Sequence, residues 1–200
     1  MRRLFLAALF AAICAPTAFA QTDDYNKADF FVGYSHNRVD TGIGDDDPDF
    51  DDIFEEREGF NGFNVSAKGN VSRYVGIKGD YSFHRKRLSE TVAGTTFDVD
   101  FDLHTVVGGV EFKDNARETR VKPFAHLMAG IGHARVNLDG PPAFDDTQSE
   151  TGLAGVIGGG LDFRISPRVD FRAIQFDYNP TRIEGQTAHN FRIGIGFVFR

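Results

Sequence analysis

Histidine is the side chain that most readily supplies a base near neutral pH. This chain has six: His36, His84, His104, His126, His133 and His189. A serine in reach of one of them would make a pair suited to acyl transfer. On a β-strand the neighbour sharing a face lies two residues along. The positions two after each histidine hold Arg38, Lys86, Val106, Met128, Arg135 and Phe191, and none is serine. Ser82, close to His84 on the same face, is the one candidate partner, and a chance pairing among polar neighbours explains it more simply. No catalytic residue is assigned. Cys14 is the only cysteine and lies in a segment expected to be removed, which excludes thiolate metal sites and disulfides from the mature chain. The glycines of Gly155-Val156-Ile157-Gly158-Gly159-Gly160 fall within a strand pattern and not ahead of a helix, so they do not form a phosphate loop.

The densest chemistry is acidic. Between Val39 and Glu58 stand Asp40, Asp45, Asp46, Asp47, Asp49, Asp51, Asp52, Glu55, Glu56 and Glu58, against Arg57 alone. Carboxylates at this density are the ligand type a hard cation such as calcium takes. Their spacing does not match an EF-hand loop and Pro48 interrupts them, so the expectation is a solvated surface loop. No metal or cofactor is expected.

The remaining charged groups recur at every second residue, which makes strands the elements that must position them. Eight are expected. The first, Ala28 to Arg38, sets Phe30, Val32 and Tyr34 on one face, with Phe31 fitting neither face well. The second, about Gly62 to Gly69, opposes Phe63, Val65 and Ala67 to Asn64, Ser66 and Lys68. The third opposes Val75, Ile77, Gly79, Tyr81 and Phe83 to Lys78, Asp80, Ser82 and His84. After an expected loop at Arg85 to Thr96, the fourth opposes Phe97, Val99, Phe101, Leu103, Thr105 and Val107 to Asp98, Asp100, Asp102 and His104. The fifth sets Ala125, Leu127, Ala129 and Ile131 against His126, Met128, Gly130 and Gly132. A loop at Asn137 to Ser149 precedes the sixth, where Leu153, Ile157, Leu161 and Phe163 oppose Ala154, Gly158, Gly160 and Asp162. The seventh, Arg168 to Tyr178, changes parity midway, which predicts a β-bulge near Ala173. Asn179-Pro180 is expected to open the last loop. The connections then alternate between long and short, with turns at Asn70 to Arg73, Asp114 to Arg117 and Ser166-Pro167.

The eighth strand, Asn190 to Arg200, carries Phe191, Ile193, Ile195, Phe197 and Phe199 on one parity, and only Val198 breaks the polar and glycine run on the other. Lipid would cover those five side chains. At the opposite end, Met1-Arg2-Arg3, the apolar run Leu4 to Ala15 and Ala18-Phe19-Ala20 have the form of a secretory signal peptide. The expected organisation is a signal peptide over 1–20 and one domain over 21–200.

Removing Arg2 and Arg3 leaves 20 basic residues against 29 acidic, a net charge of −9, which disfavours nucleic acid as a partner. No segment approaches the roughly 20 apolar residues of a membrane helix. Negative mean hydropathy does not argue for a soluble protein when lipid-facing residues alternate with polar ones.

A soluble eight-stranded barrel keeps an apolar lumen and shows charge outside. Here one face holds Lys78, Asp80, His84, Asp98, Asp100, Asp102, His104, Asp162, Arg172 and Arg192, and the other is almost wholly apolar. So many rings would overfill a lumen that side chains only just fill. The expected fold class is therefore all-β: an eight-stranded antiparallel up-and-down transmembrane β-barrel with a polar, salt-bridged interior.

The run Arg192, Gly194, Phe197, Phe199 resembles the C-terminal signal of bacterial outer-membrane barrels. Gly59-Phe60-Asn61-Gly62-Phe63-Asn64, Lys122-Pro123-Phe124-Ala125-His126 and Gly158-Gly159-Gly160-Leu161-Asp162 add to a resemblance to the small outer-membrane β-barrel domain family, the OmpA-like or porin family proteins. The resemblance implies a place in the bacterial outer membrane, with lipid bilayer and lipopolysaccharide as surroundings. It also implies recognition of the C-terminal strand by the outer-membrane assembly machinery. A monomer is expected, with a non-enzymatic structural or surface-interaction role. The alternatives are a narrow porin-like channel for small solutes and a lipid A-modifying barrel enzyme. Peptidoglycan binding, which longer relatives perform with a periplasmic domain, is not expected.

Overall fold

Alternating sequence forms alternating structure on all eight strands. They are β1 (Ala28–Val39), β2 (Glu58–Asn70), β3 (Val75–Val92), β4 (Thr95–Lys113), β5 (Val121–Asp139), β6 (Asp146–Ser166), β7 (Val169–Ile183) and β8 (Gln186–Phe199). The protein was described from a computed structural model, which covers residues 24–39, 58–92, 95–139, 146–183 and 186–200. Each strand pairs antiparallel with its sequence neighbour, and the sheet closes. Closure joins β1 to β8, from Phe30 opposite Phe199 to Arg38 opposite Phe191. It leaves no unpaired sheet edge, which a hydrocarbon surrounding would not tolerate. The expected signal peptide, residues 1–20, and the greater part of the acidic stretch between β1 and β2 lie outside the described residues.

The bulge expected near Ala173 is present. Leu161 faces Ile174 while Asp162 faces Arg172, so β7 carries one residue more than its partner. That extra residue keeps Phe171 outward below it and Ile174 and Phe176 outward above it.

At one end the connections are turns, from Asn70 to Val75, Lys113 to Val121 and Ser166 to Val169. Arg73 forks onto Asp114 there at 2.8 and 3.0 Å. The Asp114 carboxylate also accepts from Ala116 N and Thr119 Oγ1. These bonds, Arg73 first, hold its pKa down to about 2.

At the other end, the loop end, the strands run further than the sequence reading expects. Arg85 to Thr96 is not a loop: β3 continues to Val92 and β4 begins at Thr95. Asn179-Pro180 does not open a loop but stays within β7, Pro180 opposite His189. The strands of the third hairpin likewise reach Asp139 and resume at Asp146. The charges that give Arg85 to Thr96 its loop-like look are cross-strand partners. Arg85 forks onto Asp102 at 2.5 and 2.7 Å, Arg87 onto Asp100 at 2.6 and 2.8 Å, and Ser89 donates to Asp98.

A membrane strand needs about 9–11 residues to cross. Strands β3 to β6 have 18, 19, 19 and 21. Their surplus lies at the loop end, where their hairpins rise beyond the lipid.

Candidate functional site

The lumen below the loop end is a network of buried charge. Among the described residues, Asp29, Asp80, Glu111, Asp162, Asp170 and Asp177 face inward and buried, as do Lys68, Lys78, Lys113, Lys122, Arg172 and Arg192. Six negative charges thus meet six positive ones, with Arg200 a further cation at the turn end. Lys68 sits 2.8 Å from both Asp29 and Glu111, and Lys113 bridges Asp29 at 2.9 Å to Asp162 at 3.2 Å. Arg172 forks onto Asp162 at 2.8 and 3.1 Å and donates to Gln175 at 2.7 Å. Gln175 donates onward to Asp177 at 2.6 Å. Asp177 also holds Arg192 at 2.6 Å and His126 at 2.9 Å, and Arg192 reaches across to Asp80 at 3.3 Å. Lys122 and Arg200 share Asp170 near the turn end.

Two rings complete the plug. The Arg172 guanidinium lies 4.4 Å from the Phe31 ring centroid and 4.0 Å from that of Phe124. This explains Phe31, which fits neither face in sequence: it is a lumen residue that covers a cation. The rings need bare backbone beside them. A Cβ at Gly160 would meet the Phe124 ring at 2.8 Å, and one at Gly196 would meet the Phe31 ring at 2.9 Å.

Of the lumen charges expected from sequence, Lys78, Asp80, His84, Asp162, Arg172 and Arg192 are where the alternation puts them. Asp98, Asp100, Asp102 and His104 are not. β4 pairs without a bulge, Ser82 opposite Thr105 and His84 opposite Leu103, so Leu103, Thr105 and Val107 are buried in the lumen. The even residues, Asp102 and His104 included, face outward with Val106 and Phe112. The physical reason is a change of surroundings along the strand. In lipid the outward residues are apolar; beyond it they face water and are charged. The polar parity therefore inverts near Thr105 while the backbone keeps one register. β5 repeats this, with Leu127 and Ile131 outward in the belt, then Ala134 and Val136 inward and His133 and Arg135 outward above it.

Sequence spacing also missed the lumen groups Asp29, Glu111, Lys113, Lys122, Asp170 and Asp177. Their parity was available for Lys113 and Glu111 from Val110 and Phe112, which continue the outward series.

Ser82 is not the partner of His84. His84 Nε2 lies 2.8 Å from Ser35 Oγ across the lumen, both side chains fully buried, and Ser82 Oγ has no hydrogen-bond partner. A reacting substrate has no path to that pair in this arrangement. Four histidines point outward near the top of the apolar belt: His36 bonds Asn61, His133 bonds Thr151, and His104 and His189 take Tyr81 and Tyr178 at 3.0 and 2.5 Å. Among the described residues no three metal-ligating side chains converge.

Above the plug the interior changes character. Phe60, Leu88, Phe101, Leu103, Ala134 and Val136 line a cavity of about 490 Å³ at the loop end. Phe60 and Phe101 meet edge-on at 6.2 Å.

Outside, Phe30, Val32, Ile77, Val106, Leu127, Ile157, Ile174, Ile195 and Phe197 are all exposed and form a continuous apolar belt. Tyr34, Tyr81 and Tyr178 mark its upper edge, where amphipathic rings suit a membrane interface. Solved structures share this architecture. The chain is similar to Ail, the attachment invasion locus protein of Yersinia pestis, with 22% identity over 88% of this chain and 99% of that one at a TM-score of 0.58. A second structure of Ail, in complex with the heparin analogue sucrose octasulfate, matches at 23% identity over 86% and 98% with a TM-score of 0.57. Neisserial surface protein A matches at 15% identity over 86% and 96%, TM-score 0.56. No functionally curated protein is detectably similar in sequence. A family model described as the outer membrane protein beta-barrel domain matches residues 5–199. The protein is an integral barrel of the bacterial outer membrane, and the chain belongs to the outer membrane protein beta-barrel domain family.

Proposed function

We propose that the protein is a non-conducting, non-enzymatic barrel that presents its β3–β6 hairpins at the cell surface for interaction with a partner outside. The observation that carries this is the division of the strands. Their lower lengths are cross-linked by a charge-balanced plug, and their upper lengths stand clear of the lipid as a stiff sheet. A narrow channel is the second reading, favoured only by the many small lumen residues, Gly130, Gly132, Gly158, Gly194 and Gly196 among them. Among the described residues no accessible serine–histidine pair supports lipid A modification.

Ail takes a sulfated sugar analogue, but the charge of this chain disfavours a polyanion. The mature chain carries −9, concentrated in the stretch up to Glu58. A cationic partner suits it better. Lipopolysaccharide is the proposed lipid neighbour, its phosphates meeting outward cations such as Arg38, Arg135 and Arg182 just above the tyrosines. Removal of residues 1–20 on export, recognition of the C-terminal strand by the assembly machinery and a monomeric state belong to the same reading.

The test joins two measurements on one variant. Replacing residues 87–100 by Asn-Gly together with deleting residues 45–52 should leave an assembled barrel that no longer binds cationic surfaces or peptides when displayed on cells. Neither form should show steady conductance in a planar bilayer. A stable unitary conductance that changes when Arg192 is neutralised would replace this reading with the channel.

A further inference from the structure

The interior at the loop end is built on the opposite rule from the rest of the lumen. Phe60, Leu88, Phe101, Leu103, Ala134 and Val136 form most of its wall, in a barrel whose lumen below is crossed by twelve buried charged side chains. At the same level the outward side chains are Arg85, Arg87, Asp100 and Asp102, paired across β3 and β4. Apolar inside and charged outside is the pattern of a soluble ligand-carrying barrel. The upper storey is thus a small calyx standing on a plugged membrane barrel.

Its size and charge narrow what it takes. A cavity of about 490 Å³ lies within the range of small-molecule pockets, roughly 300–1,000 Å³. Four charged side chains also line it and sum to zero: Glu58 and Lys86 form an ion pair, and Asp102, held by Arg85, stands opposite Arg135 on the neighbouring strand. No net charge is left to recruit an ionic head group. Walls that are mostly apolar, with the charged groups set in opposite-sign neighbours, favour an apolar occupant over water. We propose that this cup binds a small uncharged apolar molecule, of the class of an aromatic hydrocarbon or a short alkyl compound, entering from the outer side.

The probe is N-phenyl-naphthylamine, an uncharged apolar fluorophore, titrated onto the barrel in nanodiscs against empty nanodiscs. Saturable binding with one probe per barrel is expected, about tenfold weaker in Ala134→Phe, which fills the cup. If that variant does not assemble, Leu88→Asn at the exposed rim carries the same expectation. An anionic sulfonated analogue should bind more weakly. Binding no different from empty nanodiscs, or unchanged in the variants, would overturn the proposal, and so would preference for the sulfonate. Binding that emerges only after deletion of residues 45–52 would also overturn it, by showing the chain's own segment to be the occupant.

Discussion

The two storeys of this barrel are made from the same strands and follow opposite rules. In the lower one β4 turns Val106, Val110 and Phe112 outward and Glu111 and Lys113 inward. In the upper one it turns Asp100 and Asp102 outward and Phe101 and Leu103 inward. Nothing in the backbone marks the change, since the register runs unbroken from Val75 opposite Phe112 to Val92 opposite Thr95. The solvent alone differs. A strand pattern in a membrane barrel is therefore a depth gauge: the residue where polarity changes parity is where the strand leaves the lipid.

Breaking a charge in each storey separates them most strongly. Asp177→Ala would take from Arg192 the nearer of its two buried carboxylates, leaving Asp80 at 3.3 Å, and from His126 its buried carboxylate; removing one member of a buried pair costs about 3–5 kcal/mol. Asp100→Ala removes the partner of Arg87, which is exposed, and should cost less than about 1 kcal/mol. Urea unfolding of both variants in lipid vesicles should show this gap; equal losses would mean the lower lumen is wet and screened.

Exchanging outer faces should have the next largest effect. Ile77→Arg puts a cation into hydrocarbon, about 2–4 kcal/mol near the midplane. Arg87→Ile, an outward residue of the same strand, should change unfolding by under about 1 kcal/mol. Similar penalties for the two would place both positions in one environment.

The smallest effect sharpens the lower boundary. Asp114 has its pKa depressed to about 2, chiefly by the Arg73 hydrogen bonds. A depressed carboxylate contributes stability that is present above its unfolded value near 4 and is lost as pH falls toward 2. Arg73→Ala should remove most of that dependence between pH 4 and 2 and lower the melting temperature slightly at pH 6. An unchanged acid profile would show that the fork does not form in solution.

The closed sheet, the strand count and the bulge at Ala173 were all legible in sequence, because each rests on alternation alone. Lumen charges were legible where lipid-facing neighbours framed them, as Ile77 and Gly79 frame Lys78. They were illegible along β4, because Val99 to Val107 alternates as cleanly as a lipid-facing run while its apolar parity faces the interior. The Ser35–His84 contact joins β1 to β3 across β2, and no spacing along one strand records a neighbour two strands away. The cup was hidden for related reasons: Phe101 and Leu103 read as lipid-facing in sequence, Leu88 falls in the expected loop, and Phe60, Ala134 and Val136 lie beyond the expected strand ends.

That inversion is open to a direct measurement by single-cysteine labelling, since Cys14 is the one native cysteine and lies in the segment proposed to be removed on export. Nitroxides placed in turn from Val99 to Phe112 report contact with oxygen, which concentrates in lipid, and with a water-soluble nickel chelate. Labels at 106, 108, 110 and 112 should respond to oxygen, those at 100 and 102 to the chelate, and those at 103, 105 and 107 weakly to both. Strong oxygen contact at 103 and 107, with none at 106 and 110, would contradict the two-storey barrel and put the odd face of β4 in the membrane.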